Sequence, residues 1–327
     1  MTSPVRTPRP YTAVTRTTQE VAKAIQNARF DVGIISPLVM GDHGEVIRGL
    51  REENEFAPEV FAPIHYSTHD IDTSSITMSV KRALAEKMHA IVSVGGRVAQ
   101  VASEILEKEA PDIPHLCLSP GPSLGTQLVA RATALTGNCA TIMLKPYEIT
   151  AALTFLCEAL PTRKNILAPY HSPTTWEEVH KGPVTRFLAE KGYSVTSFTE
   201  KTLLDGHQKI GKALNDTDVL FLPEGSGYNE MGYYITDLCQ EKKVVIFGGS
   251  IHAVQEYAPL GFGTDLKAVG VEAVYYLHRI LGQATTPADL PLNYVDCART
   301  PLLNKKLAEK WQLDVAAIEK LSGVVTL

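Results

Sequence analysis

Short apolar runs alternate with helix-period segments along most of this chain, and that rhythm predicts a parallel α/β protein. A capping-box pair, Thr17 and Glu20, opens a first short helix carrying Val21, Ala24, Ile25 and Ala28. Strands are then expected at 32–35, 61–66, 90–94, 115–118 and 141–144, with helices at 44–53, 75–87 and 98–109. A second series follows, with strands at 165–168, 194–198, 219–222 and 244–247. Its helices fall at 148–160, stopped by Pro161, then from a Thr174/Glu177 cap to Lys191-Gly192, and at 203–214 and 232–241. A long helix at 265–281, a strand at 292–295 and two short helices end the chain. Two sets of βα units meeting near 145–146 predict two Rossmann-like lobes with parallel sheets joined by a hinge. The first lobe takes 30–144 plus about 265–290, the second 145–264 plus about 291–327, and 1–29 form a lead and short helix. The hinge includes the crossings near Lys145, Phe262 to Asp265 and Leu290. One unbroken ten-stranded sheet is the competing arrangement.

In an open α/β sheet, crevices form at the carboxyl ends of the strands. The stretch Ile91-Val92-Ser93-Val94-Gly95-Gly96-Arg97 reads as a buried strand, a tight turn and a helix N-terminus. Glycine lets a ligand approach the backbone, and first-turn N–H groups suit an anion. Polar loops recur at Ser36-Pro37, His65-Tyr66-Ser67, Ser119 to Ser123, Tyr170-His171-Ser172, Glu224-Gly225-Ser226-Gly227-Tyr228 and Gly249-Ser250. Hydroxyls and small residues there suit a carboxylate; Glu224 suits an amino group, and Arg97 a bidentate carboxylate clamp. The candidate ligand-binding set is Ser36, Gly95, Gly96, Arg97, Ser119, Ser123, Tyr170, His171, Ser172, Glu224, Gly225, Ser226, Gly249 and Ser250.

Composition narrows the function classes. With 327 residues, 44% hydrophobic, 20% charged and a net charge of −5, the chain has core material for two lobes and no nucleic-acid signature. No apolar run is long enough to span a bilayer. The first 18 residues lack the apolar core of a secretory signal, so the chain is expected to be cytoplasmic, or extracytoplasmic after loss of an export segment. Cys117, Cys139, Cys157, Cys239 and Cys297 form no CxxC pair, and His65, His171 and His252 have no ligand-spaced partner. Neither a metal site nor a disulfide framework is expected. Gly225-Ser226-Gly227 lacks the rest of a dinucleotide fingerprint and no phosphate loop exists, so no cofactor is expected. A two-thiol racemase needs a strand-end cysteine in each lobe. Cys117 approaches one such loop and the second lobe offers no counterpart, so the chain is read as non-enzymatic. A racemase or isomerase is the alternative, and a cytosolic ligand sensor the third reading.

The order of segments resembles the solute-binding proteins of ABC importers of the tryptophan/tyrosine-binding type, over about residues 30 to 321. The likeness is carried by Leu156-Cys157-Glu158-Ala159-Leu160-Pro161-Thr162-Arg163-Lys164-Asn165-Ile166 and by Asp218-Val219-Leu220-Phe221-Leu222-Pro223-Glu224. Further matches are Leu281-Gly282-Gln283 with Pro287-Ala288-Asp289-Leu290-Pro291, and Asn304 with Ala308 and Leu313. The resemblance implies the type I periplasmic-binding-protein fold, an amino acid or small carboxylate as ligand, and a transporter permease as partner. It places the ligand loops at the strand ends named above. Three departures stand out. Gly96-Arg97-Val98-Ala99-Gln100 replaces the family's T-P-A-A-Q turn, Ser119-Pro120-Gly121 replaces an acidic loop, and Glu224 stands for Asp. Arg97 in that turn favours a more acidic ligand.

Overall fold

The computed structural model describes residues 18–37, 41–68, 72–118, 127–128, 138–144, 149–170, 181–200, 203–223, 226, 228, 232–283, 285–290, 293–295 and 299–327. Its strands are β1 (Phe30–Ser36), β2 (Phe61–Ser67), β3 (Ala90–Val94), β4 (His115–Leu118), β5 (Cys139–Leu144), β6 (Asn165–Tyr170) and β7 (Ser194–Thr199). They continue with β8 (Val219–Leu222), β9 (Val245–Ser250), β10 (Leu260–Thr264), β11 (Asn293–Val295), β12 (Arg299–Leu303) and β13 (Val325–Thr326). The helices are α1 (Thr18–Gln26), α2 (Gly41–Asn54), α3 (Thr73–Ala85), α4 (Gly96–Glu109), α5 (Ile149–Ala159) and α6 (Lys181–Glu190). After them come α7 (Leu203–Ala213), α8 (Gly232–Glu241), α9 (Ile251–Glu256), α10 (Lys267–Leu277), α11 (Lys305–Lys310) and α12 (Val315–Ile318).

Two separate sheets form, of six and seven strands, in the orders β11-β5-β4-β3-β1-β2 and β13-β12-β10-β9-β8-β6-β7. The first is parallel throughout. The second is parallel except that β12 runs antiparallel to β10. Helices cover both faces, so central strands such as β3 and β8 are buried at every residue. That double burial is why they read as unbroken apolar runs. One core fills the second lobe, and two clusters fill the faces of the first sheet.

Both lobes follow one winding order. The second strand lies outside the first, and the third lies on the first strand's other side, so the direction of winding reverses between β1 and β3 and between β6 and β8. At such a switch the flanking helices lie on opposite faces and leave a crevice at the carboxyl ends.

Local chemistry explains the boundaries. Asp72 accepts hydrogen bonds from the Ser74 and Ser75 N–H groups at 2.7 and 2.9 Å and starts α3. Gly192 follows α6 with φ +75°, the left-handed stop expected at Lys191-Gly192. The proposed Thr174/Glu177 start lies outside the described residues, as does Thr17. Asp218 accepts from the N–H groups of Lys164 and Asn165 at 2.9 and 2.8 Å, tying the entry of β6 to β8.

Three differences from expectation have physical causes. The 265–281 helix is α10 followed by a wider π turn, His278–Gly282. Strand β12 was not anticipated because Pro301 sits within it, and proline argues against a paired strand. The last return to the second lobe comes later than residue 290. Leu290 is buried in the first lobe's core, and β11 pairs with Ile142 to Leu144 of β5. A three-residue edge strand carries no pattern that says which sheet it joins. The chain therefore changes sheets after β5, after β10 and after β11.

The returning helix α10 is seated on α2 by two glycines. A Cβ on Gly49 would lie 2.2 Å from the Lys267 carbonyl oxygen, and one on Gly270 would lie 2.0 Å from that of Val46. The backbones touch, with no flexible side chain between them to yield. Gly270→Ala is expected to destabilise the protein by about 1–3 kcal/mol or more through overpacking, read as a lower urea midpoint at unchanged slope.

Candidate functional site

The crevice of the first lobe is built from the ends of β1, β2 and β3. Ser36, the last residue of β1, is fully buried, and its Oγ lies 2.7 Å from His65 Nε2 on β2. Register explains the contact. Ser36 pairs with Ser67 and Ile34 with His65, so Ser36, His65 and Ser67 share one face of the sheet. Burial lowers the pKa of His65 from 6.5, and the Arg51 charge on α2 adds to the effect, so the ring is held neutral. Thr68 follows at once; its N–H donates to the Ser36 carbonyl at 2.9 Å, while its buried hydroxyl has no partner among the described residues.

Between β3 and α4 the Gly95-Gly96 turn forms as the sequence predicts. Gly95 has φ +95°, and its N–H donates to the Leu118 carbonyl at 3.0 Å. Gly96 opens α4, whose first-turn N–H groups have no intrahelical acceptor. Arg97 is exposed. Its guanidinium donates to Thr73 Oγ1 at 2.7 Å and to Gln100 Oε1 at 3.1 Å, both neutral acceptors. His43, in the first turn of α2, lies over this turn: a Cβ on Gly95 would come within 2.8 Å of its Nε2. Sequence reasoning missed His43 and Thr68, since neither stands in a recognisable motif. The positive φ at Gly95 is the only signal leading to His43.

The second lobe supplies matching ends. Tyr170 closes β6, fully buried in the lobe's core, and Ser250 closes β9 and caps α9 by accepting the Ala253 N–H at 3.2 Å. Gly249 precedes it within the buried strand. After β8, Ser226 is fully buried and its Oγ accepts the Tyr228 N–H at 3.2 Å. Burial pushes the Tyr228 hydroxyl up to about 12, keeping it a neutral group. Ser119, Ser123, His171, Ser172, Glu224 and Gly225 lie outside the described residues. The lobes touch where α9 meets α2, and each of these helices leaves the carboxyl end of a strand.

Cys117, the one thiol with a catalytic reading, is fully buried, and burial raises its pKa. Among the described residues, one group could hold a metal ion: His115, Cys117 and Cys139. The expectation of no such group rested on sequence spacing, and adjacent strands bring these three together. No helix among the described residues is long and apolar enough to cross a membrane.

This fold is that of the type I periplasmic-binding-protein class. The sequence profile of the ABC transporter substrate binding protein family matches residues 45–324, and the chain belongs to that family. No curated protein matches it at a significant level. Among solved structures it is similar to an ABC domain from Streptococcus pneumonia in complex with L-Trp, at 17% identity and a TM-score of 0.71, covering 91% of this chain and 100% of that one. A conserved domain protein from Vibrio cholerae O1 biovar eltor matches at 16% identity and 0.71, again over 91% and 100%. An ABC transporter solute binding protein from Bacillus halodurans, with bound myo-inositol, matches at 12% identity and 0.60 over 84% and 95%. At these identities the likeness shows the fold alone.

Two outcomes follow from the site's geometry. Because the folded protein resists protonating His65, the unfolded chain takes up that proton first as the pH falls below 6.5. Stability is then lost with falling pH, so His65→Gln should show a flatter stability profile as the pH falls below 6.5, measured by urea unfolding. Gly95→Ala meets both the positive φ and His43. It should lower the thermal midpoint by several degrees, for a loss of about 1–3 kcal/mol.

Proposed function

We propose that the crevice between the lobes holds an amino acid or small carboxylate, and that the protein serves an ABC importer by closing on it. The single observation that carries this reading is the repeated strand order. It sets two winding reversals, one per lobe, each ending in glycine or hydroxyl residues. Closure bends the chain where it changes sheets, after β5, β10 and β11, dividing it into lobes of about 30–144 with 265–295 and of about 149–264 with 299–327. The ligand shifts the open–closed balance only by its difference in affinity for the two forms.

An anionic ligand suits this chain in particular. Arg97 donates to two neutral oxygens, and a carboxylate is the stronger acceptor for a guanidinium. Fully buried Ser36 and Ser226, with the loops 119–123, 171–172 and 224–225, supply the remaining polar groups in this reading. The L-Trp complex of the Streptococcus protein supports an amino acid. The inositol complex of the Bacillus protein supports a polar solute of similar size. A chemical step is disfavoured because the Cys117 thiol is sealed in the lobe.

A thermal-shift screen of amino acids and small carboxylates tests the proposal. A ligand at 100 times its Kd should stabilise the folded chain by about 2.7 kcal/mol, and small-angle scattering should show a smaller radius on binding. Arg97→Ala should weaken an acidic ligand at least tenfold, about 1.4 kcal/mol, and a neutral one far less. Silence across the screen at millimolar concentrations would overturn the assignment. Turnover of an amino acid that vanishes in Cys117→Ala would favour the racemase reading.

A further inference from the structure

A second cluster of reactive groups lies inside the first lobe, away from the crevice. His115 and Cys117 are two apart on β4 and so share one face, and Cys139 stands beside His115 in the parallel register with β5. Cys139 Sγ is 3.7 Å from Cys117 Sγ, and Cys117 Sγ is 3.5 and 3.7 Å from the two nitrogens of His115. One ligand atom from each of the three lies within 4.8 Å of the others. All three side chains are more than nine-tenths buried, at 3%, 0% and 6% exposure.

We infer that His115, Cys117 and Cys139 form a zinc site. Two thiolates bound at 2.3 Å to a tetrahedral centre stand about 3.8 Å apart, and a thiolate stands about 3.5 Å from a bound imidazole nitrogen. The 3.7 Å thiol separation is already that of the filled site, whereas Cys117 Sγ stands nearer Nε2 (3.5 Å) than Nδ1 (3.7 Å), so the imidazole turns on binding. The imidazole ligates through Nδ1 while Nε2–H donates to Ser93 Oγ, 2.8 Å away, which fixes the tautomer. Ser103 Oγ, 3.2 Å from Nδ1, gives way and supplies or holds the fourth ligand.

One feature beside the ligand atoms favours an ion. A cavity of 20 Å³, lined by Ser103, Glu107, Pro111, His115, Asn138 and Cys139, adjoins the cluster. It is large enough for one water and leads out past partly exposed Glu107 and Asn138.

Charge selects the cation. Binding releases one proton from each thiol to solvent and leaves the imidazole neutral. Two thiolates and Zn²⁺ sum to zero, so the filled site carries no net charge into the core. Copper(I) would leave one uncompensated negative charge. Zinc here clips β4 to β5, with Cys117 two residues before the 119–123 loop.

The test uses the full chain, reduced and stripped of metal. Chelator competition should give one equivalent of zinc with a Kd below about 1 µM. The cobalt(II) form should show thiolate-to-metal charge-transfer bands and tetrahedral d–d bands. Cys139→Ser and His115→Gln should each weaken zinc at least about 100-fold, while Cys157→Ser should leave it unchanged. Stoichiometry far below one, or tight zinc binding retained in Cys139→Ser, overturns the site. Should a variant fail to fold, the parent chain's cobalt spectrum decides: absence of thiolate bands overturns the proposal. None of these readouts depends on the crevice ligand.

Discussion

Direct backbone contact between α2 and α10, at Gly49 and Gly270, is the constraint on which the two-lobed arrangement rests. Helix α10 is the first segment to return from the second lobe, and it completes the first lobe's core with Val269, Ala273, Val274, Tyr276 and Leu277. Helix α2 begins at the carboxyl end of β1 and carries His43 onto the Gly95 turn. Side chains larger than hydrogen at the crossing would push the helices apart. That would move the strand-end turn and the passage at 265–266 together. Packing of the returning helix and geometry of the crevice are thus one problem.

The fold was legible because its signals are local and repeated. Buried parallel strands leave apolar runs, the covering helices leave 3.6-residue periodicity, and prolines and glycines mark the ends. What could not be read was which sheet a short edge strand joins. Asn293–Val295 has no periodicity to declare its partner, and Pro301 disguises β12. Those are long-range choices, made by packing.

The motifs that carried the family resemblance turn out to be scaffolding. Asp218 bridges β8 to the entry of β6, and the Lys164 ammonium stands 3.7 Å over the Tyr193 ring, whose hydroxyl donates to the Cys157 carbonyl. Asn304 caps α11 and also donates to the Val254 carbonyl of α9. Of the departures from the family pattern, the one within the described residues, Gly96 to Gln100, opens α4. Site chemistry was correspondingly harder to read. Ser36, Gly95 and Ser250 were found from strand ends, but His43 reaches its place through helix packing. His115, Cys117 and Cys139 meet only because β4 and β5 pair in one register, which no spacing rule encodes.

The three passages between sheets have a consequence for how the molecule is made. Neither lobe is a contiguous piece of polypeptide: the first awaits α10 and β11, and the second awaits β12 and β13. As the chain leaves the ribosome, both halves therefore stay open-edged until the last sixty or so residues emerge. A nascent chain halted near residue 260 would present two unfinished cores rather than one finished lobe, and the final stretch acts as a shared closing stitch.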